Sequence, residues 1–225
     1  MGSDIVCLFC FPAAISPRQL LVTTENFYLL APVGQVLEGF LSIVTKTCQD
    51  EPFRLRCFDD LPEGWTAEVD SLKRIVEDFY REVYDASPVF YEQGRGGGLR
   101  SSFREERYSY HPHLCALPGP LKIHGALAER FASHACAGFP HIRSVTGPVP
   151  YIYVQTPQDP AVPGPVVYTD PGGTDGVESF RLKKALVECN GISAGWDWRN
   201  DPGEKELELL VEKFDHWYTA RFRHF

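Results

Sequence analysis

Three short apolar runs followed by one long amphipathic segment constrain the first half of this chain more than any other feature. Residues 19–24 (QLLVTT), 27–31 (FYLLA) and 40–45 (FLSIVT) read as strands, with Glu25-Asn26 as the turn between the first two. Gly39 stands ahead of the third run, where it permits a close backbone approach or a bulge. From Val69 onward the apolar residues fall at 69, 72, 75, 76, 79, 80 and 83. That is the spacing of one helix face, and it predicts a helix over 67–84. Thr66 is placed to cap it, although no acid stands three positions on. Residues 88–92 (PVFYE) read as a further strand. The expected class is α+β, an antiparallel sheet packed against helices.

The stretch Ser109-Tyr-His-Pro-His-Leu-Cys-Ala-Leu-Pro118 carries the most chemistry. In an extended strand, alternation by two puts His111, His113 and Cys115 on one face. Just upstream, Gly94-Arg-Gly-Gly-Gly98 is followed by further arginines, so that Arg95, Arg100, Arg104 and Arg107 cluster before the histidines. Backbone N–H groups of a glycine-rich loop, with guanidiniums beside them, suit a phosphate group. The loop lacks the Lys-Ser/Thr ending of a P-loop.

Beyond Pro118 the pattern predicts a helix over 121–134, strands at 150–155 and 166–169, and a helix over 178–188. Asp201-Pro-Gly-Glu204 has the form of a helix start, and apolar residues at 207, 210, 211, 214, 217 and 218 continue that helix to near Arg221. Trp196 and Trp198 are expected to pack on this last helix. No repeat or long linker interrupts the chain. The expected organisation is a domain over 1–135 that holds the His-Pro-His motif, with 136–225 as an extension packed on the same core.

Composition excludes some classes. With 225 residues, 44% hydrophobic and 23% charged, the chain has ordinary globular make-up. A net charge of −8 argues against coating polymeric nucleic acid. No apolar run reaches membrane-spanning length, and the MGSDIVCLFCFPAA start lacks the layout of a secretion signal. Seven cysteines form no even disulfide framework, so a reducing, cytoplasmic setting is expected. Cys7 and Cys10 are spaced for two thiolates on one metal or for a redox dithiol. Phe11-Pro12 follow them, which disfavours the helix a redox pair usually opens and favours metal. Cys48, Cys57, Cys115, Cys136 and the histidines are all available to complete a site of four ligands.

Taken together, these motifs resemble the histidine-triad superfamily of nucleotide hydrolases and transferases, over roughly residues 5–120. His111-Pro-His113-Leu-Cys115-Ala-Leu-Pro118 is similar to its His-x-His-x-His signature, and the form with Pro112 to the galactose-1-phosphate uridylyltransferase branch. Cys7-Leu-Phe-Cys10 looks like the N-terminal Cys pair of many members, and residues 25–48 look like their paired strands. The resemblance implies a structural zinc on Cys7, Cys10, Cys48 and His111, with Cys48 at the position of a family histidine. It implies His113 as the nucleophile that takes a nucleotidyl group at phosphorus, and it implies a homodimer.

The sequence departs from the pattern at two places. Cys115 stands where the third histidine, or a glutamine, donates to the phosphate or the leaving group; a thiol is a poor donor. Leu29-Leu30-Ala31-Pro32 occupies the strand on which many members carry a carboxylate for the ribose, leaving Asn26 or Glu38 as a substitute. The expected substrate is therefore a nucleotide or another phosphorylated metabolite. Two other readings fit the same residues: a repurposed biosynthetic enzyme with a different reaction, and a non-catalytic zinc-stabilised binding protein.

Overall fold

A computed structural model describes residues 16–46, 55–95, 111–157, 164–172, 176–177, 181–193, 195–197 and 199–222. Eight strands form one sheet: β1 (Leu20–Thr23), β2 (Phe27–Leu30), β3 (Leu41–Thr45), β4 (Pro88–Gly94), β5 (His113–Pro118), β6 (Ala132–Ala135), β7 (Tyr151–Gln155) and β8 (Val166–Thr169). Their spatial order is β1-β2-β3-β5-β4-β7-β8-β6, and every neighbouring pair is antiparallel. Because β7 pairs with β4, strands from both halves of the chain belong to one sheet.

Helix α1 (Thr66–Tyr84) covers one face. Val69, Leu72, Val76, Phe79 and Tyr80 are its buried residues, as the apolar spacing requires. They pack with Phe27, Leu41, Ile43, Phe90, Leu114 and Ala116 of the sheet. Thr66 does not cap this helix. The chain enters it straight from a 3-10 turn at Glu63–Trp65, so Thr66 is already the first helical residue. Tyr80 is fully buried, and its hydroxyl lies 2.5 Å from the Gly39 carbonyl and 3.0 Å from that of Ala116, which ties the helix to β5. Gly39 has φ +108°, and a Cβ there would meet the Pro118 ring at 2.9 Å, so the close approach expected at this glycine occurs.

The opposite face is covered by α2 (His124–Ala128) and α4 (Leu182–Asn190), whose Leu127, Leu182 and Leu186 pack on Val89, Tyr91, Cys115, Leu117 and Ile152. Between them in the chain comes the short α3 (Ile142–Thr146). The closing helix α5 (Glu204–Phe222) lies against α1, with Phe79 and Phe214 edge-on at 4.9 Å and the Trp217 indole donating to Glu82 at 2.7 Å.

Three expectations fail in the second half. The helix over 121–134 is only α2, because Ala132–Ala135 leaves it to pair as β6 with the free edge of β8. Asp201 does not cap α5; its carboxylate accepts the Gly195 N–H at 2.7 Å, and Gly203 adopts φ +62° before the helix begins at Glu204. Trp196 is not core, being 37% exposed; Trp198 lies outside the described residues. No described helix is long and apolar enough to cross a membrane.

Candidate active site

Strand β5 lies in the middle of the sheet, between β3 and β4, but it begins at His113; His111, expected on the same strand, sits in a bend that leads into it. His111 is 1% exposed, and its Nδ1 lies 2.6 Å from the Thr45 carbonyl. A carbonyl only accepts, so Nδ1 carries the proton. Burial pulls the His111 pKa down against the opposing effect of that hydrogen bond, which keeps the ring neutral.

His113, the first residue of β5, repeats the arrangement. Its Nδ1 donates to the backbone carbonyl of His111 at 3.1 Å, which leaves the lone pair on Nε2. Burial lowers its pKa, the His111 carbonyl opposes that, and the positive charge of Lys183 lowers it further. The result is a neutral imidazole of one tautomer, half-buried, with its nucleophilic nitrogen directed away from the backbone that holds it.

Cys115 sits directly opposite Ser42 of β3 and Tyr91 of β4, on the same face as His113. Burial pushes the thiol up to about 11, although the nearby Lys183, Tyr91 and Ser42 pull the other way. It is therefore a protonated thiol at neutral pH and not a thiolate nucleophile. The Tyr91 hydroxyl is buried beside it and makes no ordinary hydrogen bond among the described residues; a thiol is a weak partner.

Lys183 reaches this cluster from α4. Its Nζ donates to the Gly34 carbonyl at 2.9 Å and stands 4.2 Å from the centre of the Phe40 ring. Both anchors belong to the segment between β2 and β3, which Gln35 knits together. Its amide donates to the Pro32 and Phe40 carbonyls at 2.8 and 2.9 Å, and its oxygen accepts the Phe40 N–H at 3.0 Å. The cation is thus mounted on a rigid loop, and burial lowers its pKa.

Among the described residues, the candidates Asn26 and Arg95 are not brought to His113. Asn26 holds α1 instead, donating from backbone and side chain to the two oxygens of Glu68 at 2.8 Å each. Arg95 turns to the α1 side of the sheet, where it forms a buried ion pair with Asp59, donates to the Gly147 carbonyl at 2.7 Å and lies over the Tyr151 ring. Cys7, Cys10, Cys48, Arg100, Arg104 and Arg107 lie outside the described residues.

On that α1 side, Cys57, Asp59 and Asp60 present ligand atoms within 4.8 Å of one another, a grouping capable of holding a metal ion. In the structure arginines already balance it: Asp59 pairs with Arg95 and Arg143, and Asp60 with Arg143 and Arg56. The described cysteines, Cys57, Cys115, Cys136 and Cys189, are free thiols.

Nothing in the sequence marks Tyr91 or Lys183 as a companion of His113. Tyr91 was legible only as one apolar position of a strand. Lys183 is one of two adjacent lysines in a helix remote in the chain, and nothing local marks which of them turns inward. The described residues define the protein as an α+β protein with one eight-stranded antiparallel sheet and an imidazole, thiol, phenol and ammonium gathered on one face. No protein-family model matches the chain, and no curated protein matches it.

Proposed function

We propose that this protein is an enzyme acting at a phosphorus centre, a nucleotide hydrolase or nucleotidyltransferase of the histidine-triad kind, with His113 as nucleophile. The observation that carries the reading is the 3.1 Å bond from His113 Nδ1 to the His111 carbonyl, which fixes the tautomer the chemistry needs. Nε2 attacks the α-phosphorus, and the bond from phosphorus to the leaving oxygen breaks, that oxygen keeping the electron pair. In the second step a water or phosphate oxygen attacks phosphorus, the P–N bond breaks and its electrons return to Nε2. The proton lost by water passes to the solvent or to the departed oxyanion.

A structural zinc on Cys7, Cys10, Cys48 and His111 belongs to the same proposal. His111 suits the role, because its Nδ1 is held by the Thr45 carbonyl, the kind of outer bond that orients ligating imidazoles. Thr45 ends β3 three positions before Cys48. Zinc would then brace β5 beside the nucleophile without touching substrate. A cytoplasmic homodimer acting on a nucleotide or related phosphorylated metabolite completes the reading. The engagement of Asn26 and Arg95 elsewhere favours the variant reading in which the scaffold serves an unusual substrate.

The test is mass spectrometry of the intact chain, quenched during turnover of a panel of nucleoside diphosphates, dinucleoside polyphosphates and nucleoside phosphoramidates. A nucleotidyl adduct on the peptide that contains residue 113, lost in His113→Ala, is expected. Full turnover by folded His113→Ala would end the proposal.

A further inference from the structure

The His113 face holds a buried hydroxyl without an ordinary acceptor and an ammonium without a carboxylate partner among the described residues. Tyr91 is 7% exposed, and its hydroxyl finds no ordinary acceptor among the described residues. Buried hydroxyls are rarely left so, because the lost hydration is not repaid. Lys183 is half-buried and forms no ion pair among the described residues; its contacts are a carbonyl, an aromatic face and the neighbourhood of a neutral thiol. A cation withdrawn from water without a carboxylate calls for an anion. The two groups converge. Tyr91 stands directly opposite Cys115 on the adjacent strand, and Lys183 lies over the Phe40 ring, which packs in the same buried cluster as Tyr91 and Cys115.

We infer that Lys183 and Tyr91 form an oxyanion subsite beside His113, one that binds a single anionic phosphoryl group and supplies the donation that Cys115 cannot give. The ammonium and the phenol donate to non-bridging oxygens, and neither gives up its proton. A phenol buried this deeply keeps its hydrogen and serves as a fixed dipole, the arrangement that stabilises charge as it grows in a transition state. Gln35 holds the Gly34 carbonyl and the Phe40 ring in place, so the ammonium is already positioned before the anion arrives. The inference deepens the proposed function. It rests on that reading for the identity of the anion, while the subsite itself rests on a hydroxyl without an ordinary acceptor and an ammonium without a carboxylate.

Calorimetric titration of the full chain with sodium tungstate, a tetrahedral dianion, tests it. Wild type is expected to bind one tungstate. Lys183→Met should weaken binding by about tenfold or more, and Tyr91→Phe by about three- to tenfold, the range for losing a hydrogen bond to a charged group or a neutral one. Lys183→Arg should restore part of the loss. Lys183→Gln replaces the methionine variant if that one does not fold, with the same loss expected. Wild type that fails to bind tungstate, or variants that bind it equally well, would overturn the inference. The two proposals fail separately. Tungstate binding that depends on Lys183 and Tyr91, without any histidine adduct, removes the enzyme reading and keeps the subsite. A His113 adduct that forms at an unchanged rate in Lys183→Met removes the subsite and keeps the enzyme.

Discussion

Glu92→Gln should make this protein more resistant to alkaline pH. Glu92 lies on β4 facing α1, 3% exposed, with both oxygens engaged: one accepts the Phe58 N–H at 2.8 Å and the other the Tyr151 hydroxyl at 2.7 Å. Burial raises its pKa to about 8, against the lowering effect of those two bonds and with some help from the charge of Asp60. In the unfolded chain a glutamate titrates near about 4.3. Below that value both states are protonated and Glu92 causes no pH dependence. Between the two values the folded protein retains a proton that the unfolded chain has released, so stability falls as pH rises, and it levels off above the folded pKa. One proton of difference is worth about 1.36 kcal/mol per pH unit, so from about pH 6 to about pH 8 the loss is about 2 kcal/mol. Glutamine is close to isosteric, accepts the Phe58 N–H in the same way and lets the Tyr151 oxygen accept from its amide. Urea unfolding of both proteins across this range gives the difference, in which the titration of groups common to both cancels. The variant should gain on wild type by about 2 kcal/mol over the interval. Parallel stability profiles would refute the claim that Glu92 is buried as a neutral acid.

Cys115→Ala should lower turnover only slightly, since a buried neutral thiol donates poorly, whereas Cys115→His should preserve or raise turnover by restoring a donor beside His113; steady-state kinetics on whichever nucleotide is turned over separates these from a thiol that takes part. Elemental analysis of protein purified without chelator should find about one zinc per chain, the number for one closed structural site, and Cys48→Ser should lower the thermal midpoint before it changes chemistry. Zinc far below one per chain would remove the metal from the proposal.

Local pattern decided the elements whose partners are their own neighbours in sequence. The apolar positions of α1 lie on one face because 3.6 residues make a turn, and burial of that face needs only some sheet to lie against. The β1–β2 hairpin closes around Glu25-Asn26, and the strands at 40–45 and 88–92 were legible from their apolar runs. The placing of His113 and Cys115 on one strand, and the neutral tautomer that the His111 carbonyl imposes on His113, also follow from short-range geometry; His111 precedes the strand, and its own carbonyl partner, Thr45, comes from β3.

Contacts between remote segments decided the rest. Ala132–Ala135 has a helix-compatible sequence, yet it is a strand, because the open edge of β8 offers hydrogen bonds that a helix extension could not match. Asp201 was placed to cap α5, but the Gly195 N–H competes for its carboxylate. Arg95 follows a glycine in a loop suited to phosphate, yet Asp59 provides a buried counter-charge and draws it to the α1 side. The same holds for the site. His113 was visible in the sequence, but its companions come from β4 and α4, and only the packing of α4 across the sheet brings Lys183 to the face that carries His113 and Tyr91. A sequence states which side chains alternate along a strand; which distant cation ends up above them depends on how the helices bury the apolar surface they share.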